Sequence, residues 1–157
     1  MTETNDAPIM SEQRMVINRV FDAPRSQVWK AWTDPQTLAG WWGPKGFDAV
    51  LDSIILEPRV GGVFKLKIFS AEYNMEVPID VVYTEVVENE RIAYTEPVPC
   101  HPDIPSVVGT VTFKTVEGDK TEVNFNVVME TYPHIKDLSQ EGWLESFDKL
   151  DALFANS

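Results

Sequence analysis

"DLSQEGWLESFDKLDALFA", residues 137–155, decides the fold. Trp143, Phe147, Leu150 and Phe154 step by four, three and four, which is one apolar stripe on a helix. Asp137 or Ser139 suits the cap, and Glu145 and Lys149 form an i,i+4 pair on the wet side. A helix this amphipathic must bury its stripe against a large apolar surface. Fully burying Trp143 alone removes about 200 Å² from water, at most about 5 kcal/mol at ~25 cal/mol per Å². Gly142 beside it is explained equally by a close neighbour or by a place in the first turn.

The receiving surface lies upstream. Between Phe47 and Met129 the hydrophobic period is two. Phe64, Leu66 and Ile68 oppose Lys65 and Lys67; Val107, Gly109, Val111 and Phe113 oppose Thr110, Thr112 and Lys114. Val123, Phe125, Val127 and Met129 oppose Glu122, Asn124 and Asn126. Such a sheet has one apolar and one polar face. "EPRVGG" (57–62), "ENE" (88–90) and "EGDK" (117–120) are short links of the antiparallel kind. "FDAVLDSIIL" (47–56) reads as one strand.

Upstream again, "RMVINRVF" (14–21) is a first strand with Met15, Ile17, Arg19 and Phe21 on one side. Arg19 among apolar neighbours needs a partner, for which Glu57 or Glu85 is available. A short helix opens at Pro24 and a second at Asp34-Pro35, the latter ending at Gly43-Pro44. The prediction is an α+β domain over 13–157, preceded by a polar tail over 1–12. Six to seven curved antiparallel strands wrap a long C-terminal helix, with two short helices after strand one closing one end. The helix covers the middle of the concave face, and such an interior often keeps a cavity beside it.

Composition narrows the function. The net charge of −12 sets nucleic acid and anionic membranes aside. No stretch approaches the roughly 18 apolar residues needed for membrane insertion. The single cysteine, Cys100, forms no internal disulfide, which fits a cytoplasmic location. Cys100-His101 is one adjacent pair with His134 far along, too few ligands for zinc, and no cofactor motif is present. Cys100 reads as an ordinary loop thiol. Glu57, Arg59, Asp80, Glu85, His101 and His134 are the acid/base candidates, with structural ion pairing favoured over catalysis. Arg59 is placed to anchor the glycine turn through carbonyls.

Aromatic residues carry the ligand expectation. Trp29 and Trp32, on a helix facing the sheet, read as core. Of the adjacent pair Trp41 and Trp42, only one can point straight inward, so core cap and cavity mouth stay open for both. Phe64, Leu66, Tyr83, Tyr94, Phe113, Phe125, Trp143, Phe147 and Leu150 face the interior as core or as cavity lining. The two tyrosines are of special interest because a buried hydroxyl wants a partner.

These segments carry a family likeness. "FDAPRSQVWKAWTDPQTLAGWWGPKGF", "EPRVGGVFKLKIF", "VVENERIAYTE" and "EGWLESFDKLDALF" resemble the homologues of the activator of the heat-shock-chaperone ATPase, in the START-like or SRPBCC superfamily. The likeness spans Met15 to Phe154. It implies the helix-grip fold and a cavity for a small lipophilic or aromatic molecule. It also implies two alternatives: an enzyme of the cyclase, dehydratase or hydrolase kind, and a co-chaperone-type interaction module. A chaperone contact ranks last, and a homodimer is left open. Val81 departs from relatives that often carry glycine there, which should narrow the cavity. The prolines at 97, 99, 102 and 105 are a second departure.

Overall fold

The computed structural model describes residues 9–97 and 102–155; Cys100, His101 and most of the expected tail lie outside them. The chain begins with strand β1 (Ser11–Phe21), so the sheet starts two residues inside the stretch read as tail. Helices α1 (Arg25–Thr33) and α2 (Pro35–Ala39) follow. Strands β2 (Asp48–Ala49), β3 (Ile55–Leu56), β4 (Val63–Ser70), β5 (Met75–Val87), β6 (Arg91–Thr95), β7 (Ser106–Val116) and β8 (Lys120–Thr131) precede helix α3 (Pro133–Ala155). All neighbours pair antiparallel, in the order β1-β8-β7-β6-β5-β4-β2, with β3 also on β4. This is the helix-grip arrangement.

Three expectations are corrected. The strand read over 47–56 is broken: a 3₁₀ turn at Leu51–Ser53 separates β2 from β3. Ser53 makes the break, since its hydroxyl donates to the Val50 carbonyl at 2.6 Å and accepts from the Lys67 N–H at 2.9 Å. The side chain thus stands in for a ladder bond. Helix α2 ends at Ala39, short of Gly43-Pro44. Helix α3 opens at Pro133, where a missing N–H costs nothing. Asp137 and Ser139 are therefore inside it and do not cap it.

The alternation in β4, β7 and β8 puts Phe64, Leu66, Val111, Phe113, Val123 and Phe125 into one buried layer. Helix α3 closes it with Phe147 and Leu150, neither of them exposed. Phe21 on β1 meets Phe147 edge-on at 5.7 Å. Trp32 stands at the centre of the aromatic packing, 4.7 Å from Trp41, 6.1 Å from Phe125 and 6.0 Å from Phe147. Trp29 packs on Phe113 at 5.3 Å. At the 57–62 turn, a Cβ on Gly62 would lie 2.0 Å from the Glu57 carbonyl oxygen, so only glycine fits.

The ion pairs also differ from expectation. Arg19 reaches Asp148 at 2.6 Å and Asp151 at 3.5 Å on α3, not Glu57 or Glu85. It ties the helix to the edge strand β1. Glu85 pairs with Arg91 at 2.6 Å across the β5–β6 turn. Arg59, largely exposed, lies 3.8 Å from Glu57.

Candidate functional site

Helix α3 lies chiefly against β1 and β8. The sheet curls past it, so β4 to β7 face the helix across a gap. Side chains fill this gap only in part. A cavity of about 270 Å³ remains, near the small end of ligand pockets, which run from about 300 to 1,000 Å³.

The strands supply an aliphatic wall: Ile68 from β4, Ile79 and Val81 from β5, Ile92 from β6, Val107 from β7 and Val127 from β8. These are the inward positions of the period-two pattern, so the same alternation that builds the core builds the wall. Val81, 5% exposed, takes up space that a glycine would leave open. Opposite stand Leu138, Ser139, Gly142, Trp143 and Ser146 of α3. Leu138 is 61% exposed, so the cavity reaches the surface beside it. Ser146 donates its hydroxyl to the Gly142 carbonyl at 3.2 Å.

Trp32, Trp42, Gly43 and Pro44 close the end. Trp42 lies 4.9 Å from Phe64 and meets Trp143 edge-on at 4.7 Å. Trp41 and Trp42 divide the two roles. The Trp41 indole donates to the Ala31 carbonyl at 2.9 Å and is wholly buried in the core, whereas Trp42 faces the cavity.

The loop carrying Gly43 and Pro44 is strapped to α3. The Lys149 ammonium donates to the carbonyls of Phe47 at 2.8 Å and Pro44 at 3.4 Å. Glu145 accepts from the Lys45 N–H at 3.1 Å. The two residues expected to pair along the helix thus grip the loop. Burial pulls the Lys149 pKa below its ordinary value, against the opposing pull of Asp48 and Glu145. Gly142 sits deep inside α3 rather than in its first turn, and an added Cβ would meet the Pro44 Cβ at 3.4 Å, an ordinary packing contact, so neither a first-turn place nor a close neighbour accounts for the glycine.

Of the aromatic and aliphatic residues singled out from sequence, Trp42, Phe64, Tyr83, Tyr94 and Trp143 come together on the cavity wall. Trp41, Leu66, Phe113, Phe125, Phe147 and Leu150 lie in the packed core instead. Trp143 keeps part of its surface accessible, so its burial falls short of the full value. Trp32, read as core, is both core and wall. Among the acid/base candidates, Glu57, Arg59, Asp80, Glu85 and His134 stand outside the lining; His134 stacks on Tyr132.

The carboxylate that does line the cavity is Glu96. Its signal was the strand alternation itself, since it follows inward Tyr94 by two residues. Burial pushes the pKa of the Tyr94 phenol well above the ordinary tyrosine value, and the Glu96 charge adds to that. Burial alone raises that of Tyr83. Both phenols are neutral donors at physiological pH. Among the described residues no group of three His, Cys, Asp or Glu is placed to hold a metal. No helix among them is long and apolar enough to cross a membrane.

Comparison with solved structures shows the same fold elsewhere. A protein of Nitrosomonas europaea is 21% identical with a TM-score of 0.75, covering 91% of this chain and 94% of its own. One from Chromobacterium violaceum is 26% identical with a TM-score of 0.73, covering 90% and 97%. One from Arthrobacter aurescens is 20% identical with a TM-score of 0.77, covering 92% and 87%. No curated protein matches. The family model described as "Activator of Hsp90 ATPase homolog 1-like protein" matches residues 22–155. With that match spanning helices, sheet and cavity alike, the chain belongs to the Activator of Hsp90 ATPase homolog 1-like family.

Proposed function

We propose that this protein binds a small hydrophobic or aromatic molecule between the sheet and α3. One observation carries the reading: an apolar cavity of about 270 Å³ persists in an otherwise close-packed interior. Protein interiors rarely leave such space. Its lining is apolar, flat rings stand at one end, and a few polar groups are available for orientation, as ligand sites require. The START-like fold commonly serves this purpose. The single cysteine, which forms no internal disulfide, supports a cytoplasmic setting.

Trp42 and Trp143 on the wall provide the assay. A ligand should quench tryptophan fluorescence saturably and raise the melting temperature as RT ln(1 + [L]/Kd) predicts. Native mass spectrometry of protein from its own host identifies a co-purified molecule. Absence of any bound species, together with no thermal shift across a lipophilic library, would remove the reading. A contact with the chaperone named in the family description ranks below it. Co-purification with that chaperone is the measurement that would raise it.

A further inference from the structure

Packing does not require the glycine at 142, yet it marks the point in α3 where the supports of the helix change. An alanine methyl would fit beside Pro44. Glycine inside a helix is nonetheless among the least favourable choices, because it leaves the backbone free to adopt other conformations. The Ser146 hydroxyl bonds back to the Gly142 carbonyl at 3.2 Å. Glycine and serine together, and back-bonding of this kind, are known sources of helix bending.

From Trp143 onward α3 is tied down. Trp143 packs on Trp42 at 4.7 Å and on Phe125 at 4.4 Å. Phe147 and Leu150 are wholly buried, and Phe154 meets Phe21 at 5.9 Å. Arg19 holds Asp148 and Asp151, and Glu145 and Lys149 hold the 44–47 loop. Before Gly142 these ties stop. Among the described residues, no side-chain hydrogen bond, ion pair or ring contact joins residues 135–141 to another element; the Lys136–Asp137 pair stays inside the segment. No residue there is fully buried, and Leu138 is 61% exposed. Segments with so few anchors open locally at a lower free energy than the fold as a whole.

This loosely held stretch is also the wall where the cavity reaches the surface, with Leu138 and Ser139 in the lining. The other walls are firmer. The strands are joined in continuous antiparallel ladders, and the Trp42–Pro44 end is fastened to the anchored half of α3. Granted the binding function proposed above, we propose that α3 bends at Gly142, so that residues 133–141 lift from the sheet as the door through which a ligand enters and leaves.

Hydrogen exchange of the free full chain reads the hinge, and stopped-flow fluorescence with N-phenyl-1-naphthylamine, an uncharged apolar probe, reads the door. In the natural protein, amides 137–142 should exchange well before amides 147–152 of the same helix. Gly142→Ala should slow exchange at 137–142 about fivefold, equivalent to the ~1 kcal/mol by which alanine outranks glycine in a helix. The on-rate and off-rate of the probe should fall by a similar factor with Kd little changed, because alanine disfavours opening of the free and the occupied protein alike. A methyl that merely narrowed the cavity would instead speed release. Uniform exchange along α3, or no slowing in Gly142→Ala, overturns the hinge. Slowed exchange with unchanged probe rates overturns the door. Lys149→Met loosens the opposite end of the cavity; release that is faster there and indifferent to Gly142→Ala puts the door at the 44–47 loop and also overturns the proposal. Failure of this probe and of the lipophilic library to bind removes the binding function and the door with it, while the exchange contrast across Gly142 still decides the hinge.

Discussion

Gly109→Ala gives the sharpest test of how the cavity wall is built, because two physical effects predict opposite signs. Gly109 on β7 is the ladder partner of Tyr94 on β6. A Cβ at 109 would lie 2.2 Å from Tyr94 Cζ, 2.4 Å from Cε1 and 2.5 Å from the hydroxyl oxygen. The ring lies across the glycine, an arrangement that also protects exposed backbone at a strand glycine. Strand propensity alone predicts that alanine stabilises by about 0.5–1 kcal/mol. Packing predicts the reverse. To restore an ordinary 3.4 Å contact, the ring must withdraw by about 1.2 Å, and it can go only toward the cavity. Overpacking of this kind costs about 1–3 kcal/mol. The net expectation is a loss of about 1–2 kcal/mol, or roughly 2–8 °C in melting temperature for a chain of this size. Urea denaturation measures it directly, and ligand titration should show weaker binding as the cavity shrinks. Combining Gly109→Ala with Tyr94→Leu should cost less than the two singly, with a coupling of about 1 kcal/mol. A stability that rises or stays level in Gly109→Ala would refute the placement of the Tyr94 ring.

Other outcomes follow from the same coordinates. Tyr83 and Tyr94 are held neutral by burial, so absorbance at 295 nm should show neither ionising up to pH 11 in the folded protein, and Tyr83→Phe should leave that part of the curve unchanged. Because their folded pKa values are raised, the stability they contribute is whole below the unfolded value of 10.0 and falls as pH rises past it; denaturation midpoints should drop from there. Asp34 caps α2 by accepting from the Thr37 hydroxyl at 2.8 Å and the Thr37 N–H at 3.1 Å, which together lower its pKa. Asp34→Ala should cost about 1 kcal/mol at pH 7, and the gap to the natural chain should close as pH falls below 3.8, since a depressed pKa gives stability only to the ionised form. Val81→Ala should cost about 1–3 kcal/mol and favour ligands one ring substituent larger; equal affinity across such a series in both proteins would argue that Val81 does not limit the cavity.

Legibility from sequence followed local physics. Strands β7 and β8 were plain because Val107 to Phe113 and Val123 to Met129 alternate without interruption around a glycine turn. The break at Leu51–Ser53 was not, since it depends on Ser53 bonding to Lys67, fourteen residues away. The start of α3 was hidden because Asp137 and Ser139 look like caps while Pro133 looks like a breaker. Within the site, inward-facing aromatics were readable, but facing inward does not separate core from wall. Phe113 and Phe125 share a face with Val107 and Val127, yet only the valines border empty space. That difference arises from where α3 sits across the sheet, which no strand pattern records. Glu96 stands two residues after inward Tyr94, but a carboxylate on an otherwise apolar face runs against the pattern by which inward positions are read.

The pairing of β1 with β8 joins Ser11 to Thr131 and Phe21 to Thr121. During synthesis the opening strand therefore has no mate until its distant partner leaves the ribosome. At about 5–20 residues per second the delay is roughly 5–20 s. Throughout it the inner faces of the nascent sheet stay open to their surroundings, because the closing helix is made after every strand. Under the binding function proposed above, a guest molecule present at that moment would be enclosed as the sheet closes, without having to enter through the finished wall.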